Sequence, residues 1–207
     1  MPDVGVLILA AGGSSRMGAP KQLIPYAGRS LLRSVAETAI ESRCGPVVVV
    51  LGAQHDRVAP ELQHLPVRIM VNDRWQSGMG SSIRLGLRTA LDHAPGLSAL
   101  VILLCDQPLV STEIIHQLIG AHQSTGKWIV ASAYADTLGP PVLFSRDAFS
   151  WLEEIPNRSG AKSVLEEHSA SVASIPFADG AIDLDTPEDI QKLGIPSPAS
   201  AIRNNSV

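Results

Sequence analysis

The sequence is poor in charge and has no long hydrophobic run. Charged residues make up 17% of the 207 positions and hydrophobic residues 45%, a balance that favours a large core over extended disorder. The apolar runs Val47–Leu51 and Ala99–Cys105 are far shorter than the ~20 residues that cross a bilayer. Because no basic stretch precedes the first apolar run, we expect neither a signal peptide nor a membrane partner.

Cysteine and positive charge are also scarce. The chain has two cysteines, Cys44 and Cys105, and a formal net charge of -4. Two thiols without an export signal argue against a disulfide framework and predict a cytoplasmic protein. No long basic run is present, so nucleic acid is not an expected partner. The histidines and cysteines do not cluster at ligand spacing, which excludes a structural zinc site.

Short apolar runs alternate with segments of helical period in the first part of the chain. Strands are predicted at Val4–Ala10, Val47–Leu51, Val67–Val71 and Leu100–Leu104, and helices at 30–43, 55–64, 81–93 and from Thr112 onward. The strands are continuously apolar rather than alternating, so both of their faces should be covered. This pattern predicts a parallel sheet with helices on both sides.

The pattern changes after Gly126. The remaining predicted elements are strands at 128–133 and 142–144, helices at 146–155 and 160–168, and a strand at 172–177. Gly139–Pro141 is expected to join the first two of these strands, and Thr186-Pro187-Glu188 resembles the start of a last helix.

Together these elements predict one α/β domain over residues 1–194. We expect a three-layer Rossmann-like fold with a mostly parallel, twisted sheet of about seven strands and an antiparallel strand near its edge. Residues 195–207 are rich in Ser, Pro and Asn and are predicted to form a flexible tail.

The most informative segment is the Gly- and Ser-rich loop after the first strand, LAAGGSSRMGAPKQL. Ligands of doubly wound sheets lie at the carboxyl ends of the strands, and glycines there let backbone N–H groups approach a phosphate. Arg16 and Lys21 add two cations. The loop is not a Walker A motif, since Ala19 follows Gly18, and the chain has no GxGxxG motif. An ordinary glycine turn with solvated cations is the alternative.

Two further segments have the composition of a site. Asp106 follows a buried strand and precedes Pro108, and one carboxylate there, facing a triphosphate, suits Mg²⁺. Capping of a turn is the other role open to this residue. Trp75–Arg84 is a second Gly/Ser loop that opens a helix, where small residues and hydroxyls can approach a nucleotide base. A capped helix start with Trp75 as core filler is its alternative.

The first loop resembles LAAGxSxRMGxxK, the signature of the molybdenum cofactor nucleotidyltransferases, and the chain is most similar to the cytidylyltransferase branch. In that family Ala at position 11 is associated with CTP, and Gly there with GTP. Cys105-Asp106-Gln107-Pro108 resembles the metal motif of the family. Asp185 resembles a second metal ligand, although it or Thr186 can instead cap the last helix. The nucleotide-binding residues implied by the resemblance are Leu9, Ala10, Ala11, Gly12, Gly13, Ser14, Arg16, Lys21, Gly78, Ser81 and Ser82.

The acceptor side resembles the family less closely. Gly139-Pro140-Pro141 is similar to its Gly-x-Pro segment, whereas 157–162 only partly matches GDxGAR, with Arg158 in place of Asp and Lys162 in place of the last Arg. The resemblance implies that Gly139, Pro141 and Lys162 bind the acceptor. An anionic acceptor fits the retained positive charge, although Lys162 can also be a solvated helix residue.

The resemblance implies an Mg²⁺-dependent enzyme that moves CMP from CTP to a phosphate monoester, most closely molybdopterin, and releases pyrophosphate. Arg16, Lys21 and Asp106 would be its catalytic residues. A molybdoenzyme or chaperone that receives the product is a further implied partner.

Other activities remain open on sequence grounds. They are transfer from GTP, cytidylyl transfer to a sugar or isoprenoid phosphate, reduction by a nicotinamide cofactor on the same scaffold, and ligand binding without catalysis.

Overall fold

The computed structural model describes residues 3–13 and 19–182. Its strands are β1 (Val4–Ala10), β2 (Pro25–Tyr26), β3 (Arg29–Ser30), β4 (Val47–Leu51), β5 (Arg68–Val71), β6 (Ala99–Leu104), β7 (Ile129–Tyr134), β8 (Thr137–Ser145) and β9 (Val172–Pro176). Its helices are α1 (Leu31–Glu41), α2 (His55–Val58), α3 (Met79–His93), α4 (Thr112–Thr125), α5 (Phe149–Glu154) and α6 (Ala161–Glu167). The proposed site residues Ser14, Arg16 and Asp185, the predicted last helix and the predicted tail lie outside the described residues.

Within the described residues, seven strands form one sheet in the order β5-β4-β1-β6-β8-β7-β9. β8 runs antiparallel to both of its neighbours, while the other ladders are parallel. The expected mostly parallel α/β sheet is therefore confirmed, with its antiparallel strand third from the β9 edge. Because β8 reverses the direction, β7 points the same way as β1 and β6. The carboxyl ends of these three strands consequently meet at one edge of the sheet.

The prediction that Gly139–Pro141 joins β7 to β8 is wrong. The turn lies at Ala135 and Asp136, which both have left-handed backbone angles, with φ of 45° and 58°. Gly139–Pro141 is instead part of β8, opposite a register shift between Ala131 and Ser132 of β7. Such a bulge interrupts the ladder, so prolines can be tolerated in an interior strand.

The side chains of β1 alternate between two hydrophobic cores. Val6 and Ile8 pack with α1 and α4 on one face, whereas Leu7 and Leu9 pack with α3, α5 and α6 on the other. This alternation is the period-two geometry of a strand with both faces covered, and it produces the three predicted layers. No helix in the described part of the chain is long and apolar enough to cross a bilayer.

Candidate active site

The carboxyl ends of β1 and β6 open into a cavity of about 340 Å³, which we call the first cavity. Its wall is formed by the Gly-rich loop, the segment before α3 and the end of β6. The described residues that line it are Leu9, Ala11, Gly12, Lys21, Trp75, Gln76, Met79, Ser82, Leu104, Cys105 and Asp106. Six of these residues are among the predicted site residues, and a cavity of this size accommodates a small-molecule ligand.

Lys21 and Asp106 form an ion pair in the first cavity, although they lie far apart in the sequence. The Lys21 Nζ atom contacts Asp106 Oδ2, and only 16% of the Lys21 side chain and 14% of the Asp106 side chain are exposed. Charges in such a partly desolvated pocket interact more strongly than they would in bulk water. The pair therefore places one cation and one carboxylate at the floor of the predicted phosphate site.

Gln22 fixes the Gly-rich loop next to the ion pair. Its side chain is fully buried, and its Nε2 atom donates hydrogen bonds to the carbonyl oxygens of Ala10 at 2.7 Å and Gly12 at 3.1 Å. These bonds satisfy the buried Ala10 carbonyl at the end of β1 and the Gly12 carbonyl in the loop that follows. Gln22 thereby orients the adjacent Lys21 toward Asp106. The sequence analysis missed this residue, although a polar side chain next to Lys21 was the available signal.

Trp75 forms a wall of the first cavity by packing against two glycines. A Cβ atom at Gly13 would approach the indole to 3.0 Å, and one at Gly52 would lie 2.6 Å from Trp75 Cβ and 2.7 Å from the Ala11 carbonyl oxygen. Glycine is required at Gly52 because neither the backbone nor the ring can give way. Trp75 thus both packs and lines the site, whereas Met79 lines the site with 44% of the residue exposed.

The serines predicted to contact the base are held by a buried asparagine. Asn72 donates hydrogen bonds from Nδ2 to the hydroxyl oxygens of Ser81 at 2.8 Å and Ser82 at 2.9 Å. Ser81 in turn donates to the Gly78 carbonyl oxygen at 2.7 Å. These hydroxyls shape the start of α3. Ser82 lines the first cavity, while Gly78 and Ser81 lie behind its wall.

A second cavity, of about 660 Å³, lies between the β7–β8 hairpin and α6. Its lining residues are Ala133, Tyr134, Ala135, Asp136, Thr137, Leu138, Lys162, Leu165, Glu166 and Ser169. Lys162, one of the three residues predicted to bind the acceptor, therefore lines a cavity. The structure does not bring Gly139 and Pro141 into the lining.

Gly139 and Pro141 support the second cavity from behind. Gly139 lies under the Tyr134 hydroxyl, and the buried Pro141 accepts a hydrogen bond from Ser132 Oγ at 2.7 Å. The Pro140 carbonyl oxygen accepts from Tyr134 at 3.0 Å and from Gln107 Nε2 at 3.0 Å. Tyr134 lines the second cavity, and Gln107 follows Asp106 at the floor of the first cavity. The Pro140 carbonyl oxygen therefore connects the two cavities.

Cys105 lines the first cavity as an inert thiol. Burial, and to a smaller degree the neighbouring Asp106 carboxylate, raises the pKa of Cys105 to about 12, and Lys21 opposes this shift. A nucleophilic cysteine requires a lowered pKa. Cys105 is therefore a packing residue.

The described residues offer a divalent cation a single carboxylate rather than a closed cage. No group of three or more His, Cys, Asp and Glu side chains among them could hold a metal ion. Asp106 nevertheless points into the first cavity, where polyphosphate oxygens and water can complete an octahedron around Mg²⁺. This donor set fits a metal ion that is bound together with a nucleotide.

Comparisons with known proteins match most of the chain. Residues 6–172 match the model of the MobA-like NTP transferase domain. The chain is 39% identical over 144 residues to nicotine blue oxidoreductase of Paenarthrobacter nicotinovorans, covering 69% of this chain and 68% of that protein. It is 29% identical over 197 residues to purine catabolism protein PucB of Bacillus subtilis (strain 168), covering 90% and 93%. Rv0371c of Mycobacterium tuberculosis H37Rv, solved in complex with manganese, has a TM-score of 0.74 at 25% identity, over 92% of this chain and 97% of that chain.

Proposed function

Because the chain belongs to the MobA-like NTP transferase family, we propose that it transfers CMP from CTP to a phosphate monoester and releases pyrophosphate. Molybdopterin cofactor is the proposed acceptor. The observation that carries the proposal is the Lys21–Asp106 pair at the floor of the first cavity, beneath the Gly-rich loop. A carboxylate can hold a divalent metal ion, and a cation with backbone amides can bind the phosphate oxygens of a polyphosphate.

The proposed reaction joins two anions. An oxygen of the acceptor phosphate attacks the α-phosphorus of the nucleotide, and the bond from that phosphorus to the bridging oxygen breaks, so that pyrophosphate leaves with the electron pair. The acceptor is already ionised near neutral pH, so no strong base is needed. Positioning and charge neutralisation carry the catalysis. In this scheme Lys21, together with Arg16, neutralises the departing pyrophosphate.

Asp106 and Asp185 are the proposed ligands of Mg²⁺. The bound cation would offset part of the negative charge on the polyphosphate. The manganese complex of the M. tuberculosis relative supports divalent-metal binding in this family. In this chain the Asp106 carboxylate would hold the cation at the end of β6, and Lys21 would limit repulsion between that carboxylate and the incoming phosphates.

CTP is favoured over GTP because Ala11 occupies the position at which the two classes of family member differ, and Ala11 lines the first cavity. For the acceptor, we propose that the second cavity provides the binding site. Lys162 would supply a cation to an anionic group there, while Gly139 and Pro141 shape the strand behind it.

A thermal-shift series tests the nucleotide assignment. CTP, GTP, ATP and UTP are each added at the same concentration with Mg²⁺. CTP should raise the melting temperature most, because the nucleotide with the lowest Kd stabilises the folded protein most. A ligand at 100 times its Kd adds about 2.7 kcal/mol to the free energy of unfolding. Release of pyrophosphate on addition of molybdopterin then tests the transfer. A largest shift with GTP would reassign the base, and no shift with any nucleotide would contradict the proposal.

The same assay separates the other acceptors and a different chemistry. Pyrophosphate release with a sugar or isoprenoid phosphate, but not with molybdopterin, would change the acceptor. One relative bears the name nicotine blue oxidoreductase, so NADPH with a heteroaromatic substrate is the appropriate competing arm. NADPH oxidation without pyrophosphate release would overturn nucleotidyl transfer. The Lys21–Asp106 pair favours transfer, because a dinucleotide pyrophosphate bound for hydride transfer needs no neighbouring carboxylate to hold a metal ion.

A further inference from the structure

The start of α3 is interlocked with the α5–α6 loop, residues 155–160. The Gly80 N–H donates a hydrogen bond to the Asn157 carbonyl oxygen at 2.9 Å. A Cβ atom at Gly78 would overlap that same oxygen, and one at Gly80 would overlap the Pro156 carbonyl oxygen. Gly78 also has a φ of 125°, which a side chain rarely allows. Both glycines are therefore needed for two backbones to meet.

Arg84 fastens the same contact one helical turn later. Its guanidinium donates to the carbonyl oxygen of Ile155 and to the side-chain oxygen Oδ1 of Asn157. Hydrogen bonds from a charged donor are about twice as strong as neutral ones. A guanidinium can hold two acceptors in fixed relative directions, which the single ammonium of lysine cannot do as well.

The clamped segment lies between the two cavities. On one side, Met79 and Ser82 of α3 line the first cavity. On the other side, the α5–α6 loop leads directly into α6, whose second residue is Lys162 of the second cavity. The Arg84–Asn157 contact is thus a direct polar connection between the proposed nucleotide side and the proposed acceptor side.

We propose that Arg84 is a positioning residue that acts with Asn157 to hold the α5–α6 loop, and through it Lys162, in register with a nucleotide bound at α3. The proposal rests on the proposed function for its substrates. Neither Arg84 nor Asn157 lines the first or the second cavity. Loss of the clamp should therefore weaken use of the acceptor more than binding of the nucleotide.

Amide hydrogen exchange tests the clamp in the protein without ligand. Arg84→Ala and Asn157→Ala should each accelerate exchange by about tenfold at the Ser159 amide of the α5–α6 loop and at the Gly80 amide that donates to this loop, since hydrogen bonds to charged groups contribute strongly to local stability. Asn157→Asp retains a side-chain oxygen as acceptor and should restore slow exchange. Arg88→Ala is the matched control, because it removes the same charge from an exposed position on α3. Unchanged exchange in both alanine variants would overturn the clamp.

Adding CTP with Mg²⁺ tests the coupling. In the unaltered protein, nucleotide should protect the α5–α6 loop as well as residues 75–82, whereas in Arg84→Ala protection should remain at 75–82 and be lost from the loop. Protection confined to 75–82 in the unaltered protein would overturn the coupling while leaving the proposed function standing. Protection of neither segment would contradict the proposed function and, with it, the positioning of Lys162 by Arg84 for the acceptor. The exchange measured without ligand would still decide whether the clamp exists.

Steady-state kinetics with molybdopterin as acceptor separate positioning from general damage. Arg84→Ala should raise the KM for the acceptor or lower kcat by at least about tenfold, with the Kd for CTP within about twofold of the parent, as expected when an interaction acts on only one substrate. Arg88→Ala should match the parent in both quantities. An equal loss in CTP affinity and in acceptor use would assign Arg84 a purely structural role.

Discussion

At the scale of single residues, the ion pair between Lys21 and Asp106 is the central feature of the candidate site. Each side chain is mostly shielded from solvent, and the two lie in contact at the end of β6. Lys21 is supplied by the turn after the Gly-rich loop and Asp106 by a central strand, so the pair forms only when β1 and β6 are neighbours. Their joint position, rather than either residue alone, makes the first cavity suitable for a metal-bound polyphosphate.

Lys21→Ala should lower kcat by about 10²–10³, because removal of a charge that stabilises the transition state costs roughly 3–4 kcal/mol. The variant should remain folded, as judged by circular dichroism and a cooperative thermal transition. Turnover within tenfold of the parent would remove Lys21 from the mechanism. Lys127→Ala, which alters an exposed lysine before β7, serves as the control and should retain full turnover.

Several residues of the site could be predicted from the sequence and others could not. Lys21 and Asp106 could be predicted, because Lys21 belongs to the Gly-rich loop after the first strand and Asp106 follows a buried apolar strand. Trp75 lines the cavity because Gly13 and Gly52 both leave room for it, and no local pattern reveals that these two glycines lie against the same side chain. Ser81 was likewise predicted to bind a ligand. In the structure it accepts a hydrogen bond from Asn72, nine residues earlier, and this contact exists only in the folded chain.

At the scale of secondary-structure elements, α3 and α4 contain interior glycines with opposite roles. A Cβ atom at Gly86 of α3 would overlap the side chain of the fully buried Leu7 on β1. Nothing in the described structure lies within 4 Å of a Cβ atom at the exposed Gly120 of α4. Gly86 therefore allows α3 to lie close to the sheet, which brings the start of that helix to the first cavity.

Alanine at these two positions should change stability in opposite directions. Gly86→Ala should lower the free energy of unfolding by about 1–3 kcal/mol through overpacking. Gly120→Ala should raise it by about 0.5–1 kcal/mol, because glycine is a poor helix former. Urea denaturation with equal m-values would measure both effects. A Gly86→Ala protein as stable as the parent would show that the packing of α3 on β1 is looser than described.

The elements that the sequence predicted best are those with strong periodicity. The limits of β1 and β4 agree with the apolar runs, and α1 begins after Ser30, whose Oγ accepts a hydrogen bond from the Arg33 N–H at 3.2 Å. The β7–β8 turn was misplaced because alanine rarely adopts a left-handed conformation, so Ala135 gave no turn signal. The prolines beside Gly139 gave a strong but misleading one.

At the scale of the whole molecule, Cys105 reports on opening of the central sheet. It is 2% exposed, and the pKa of its thiol is raised from 9.0 to about 12, mainly by burial. Because the folded value lies above the unfolded one, the contribution of this thiol to stability is present below pH 9.0 and is lost as the pH rises toward 12. Alkylation of Cys105 at a mildly alkaline pH should therefore be slow unless the structure opens around β6.

Iodoacetamide at about pH 8.5 should modify Cys105 far more slowly than the partly exposed Cys44, because burial shields the Cys105 thiol and raises its pKa. Mass spectrometry of the two tryptic peptides measures both rates, and protein in denaturant is the control. A ligand that stabilises the fold should slow the reaction of Cys105 further. Equal rates for both cysteines in the native protein would contradict the burial of Cys105.

The two cavities are also formed by separate parts of the sequence, before and after α4. The described residues that line the first cavity all precede α4, and those that line the second all follow α4, while the exposed stretch 123–128 lies between the two groups. A genetic crossover within that stretch would exchange the proposed acceptor half for another, and the foreign half would have to reproduce the ladder between β6 and β8. The foreign half would need to present a partner for Arg84 in the place of Asn157. Recombination at this stretch would therefore change the proposed acceptor site only for halves that meet both of these structural requirements.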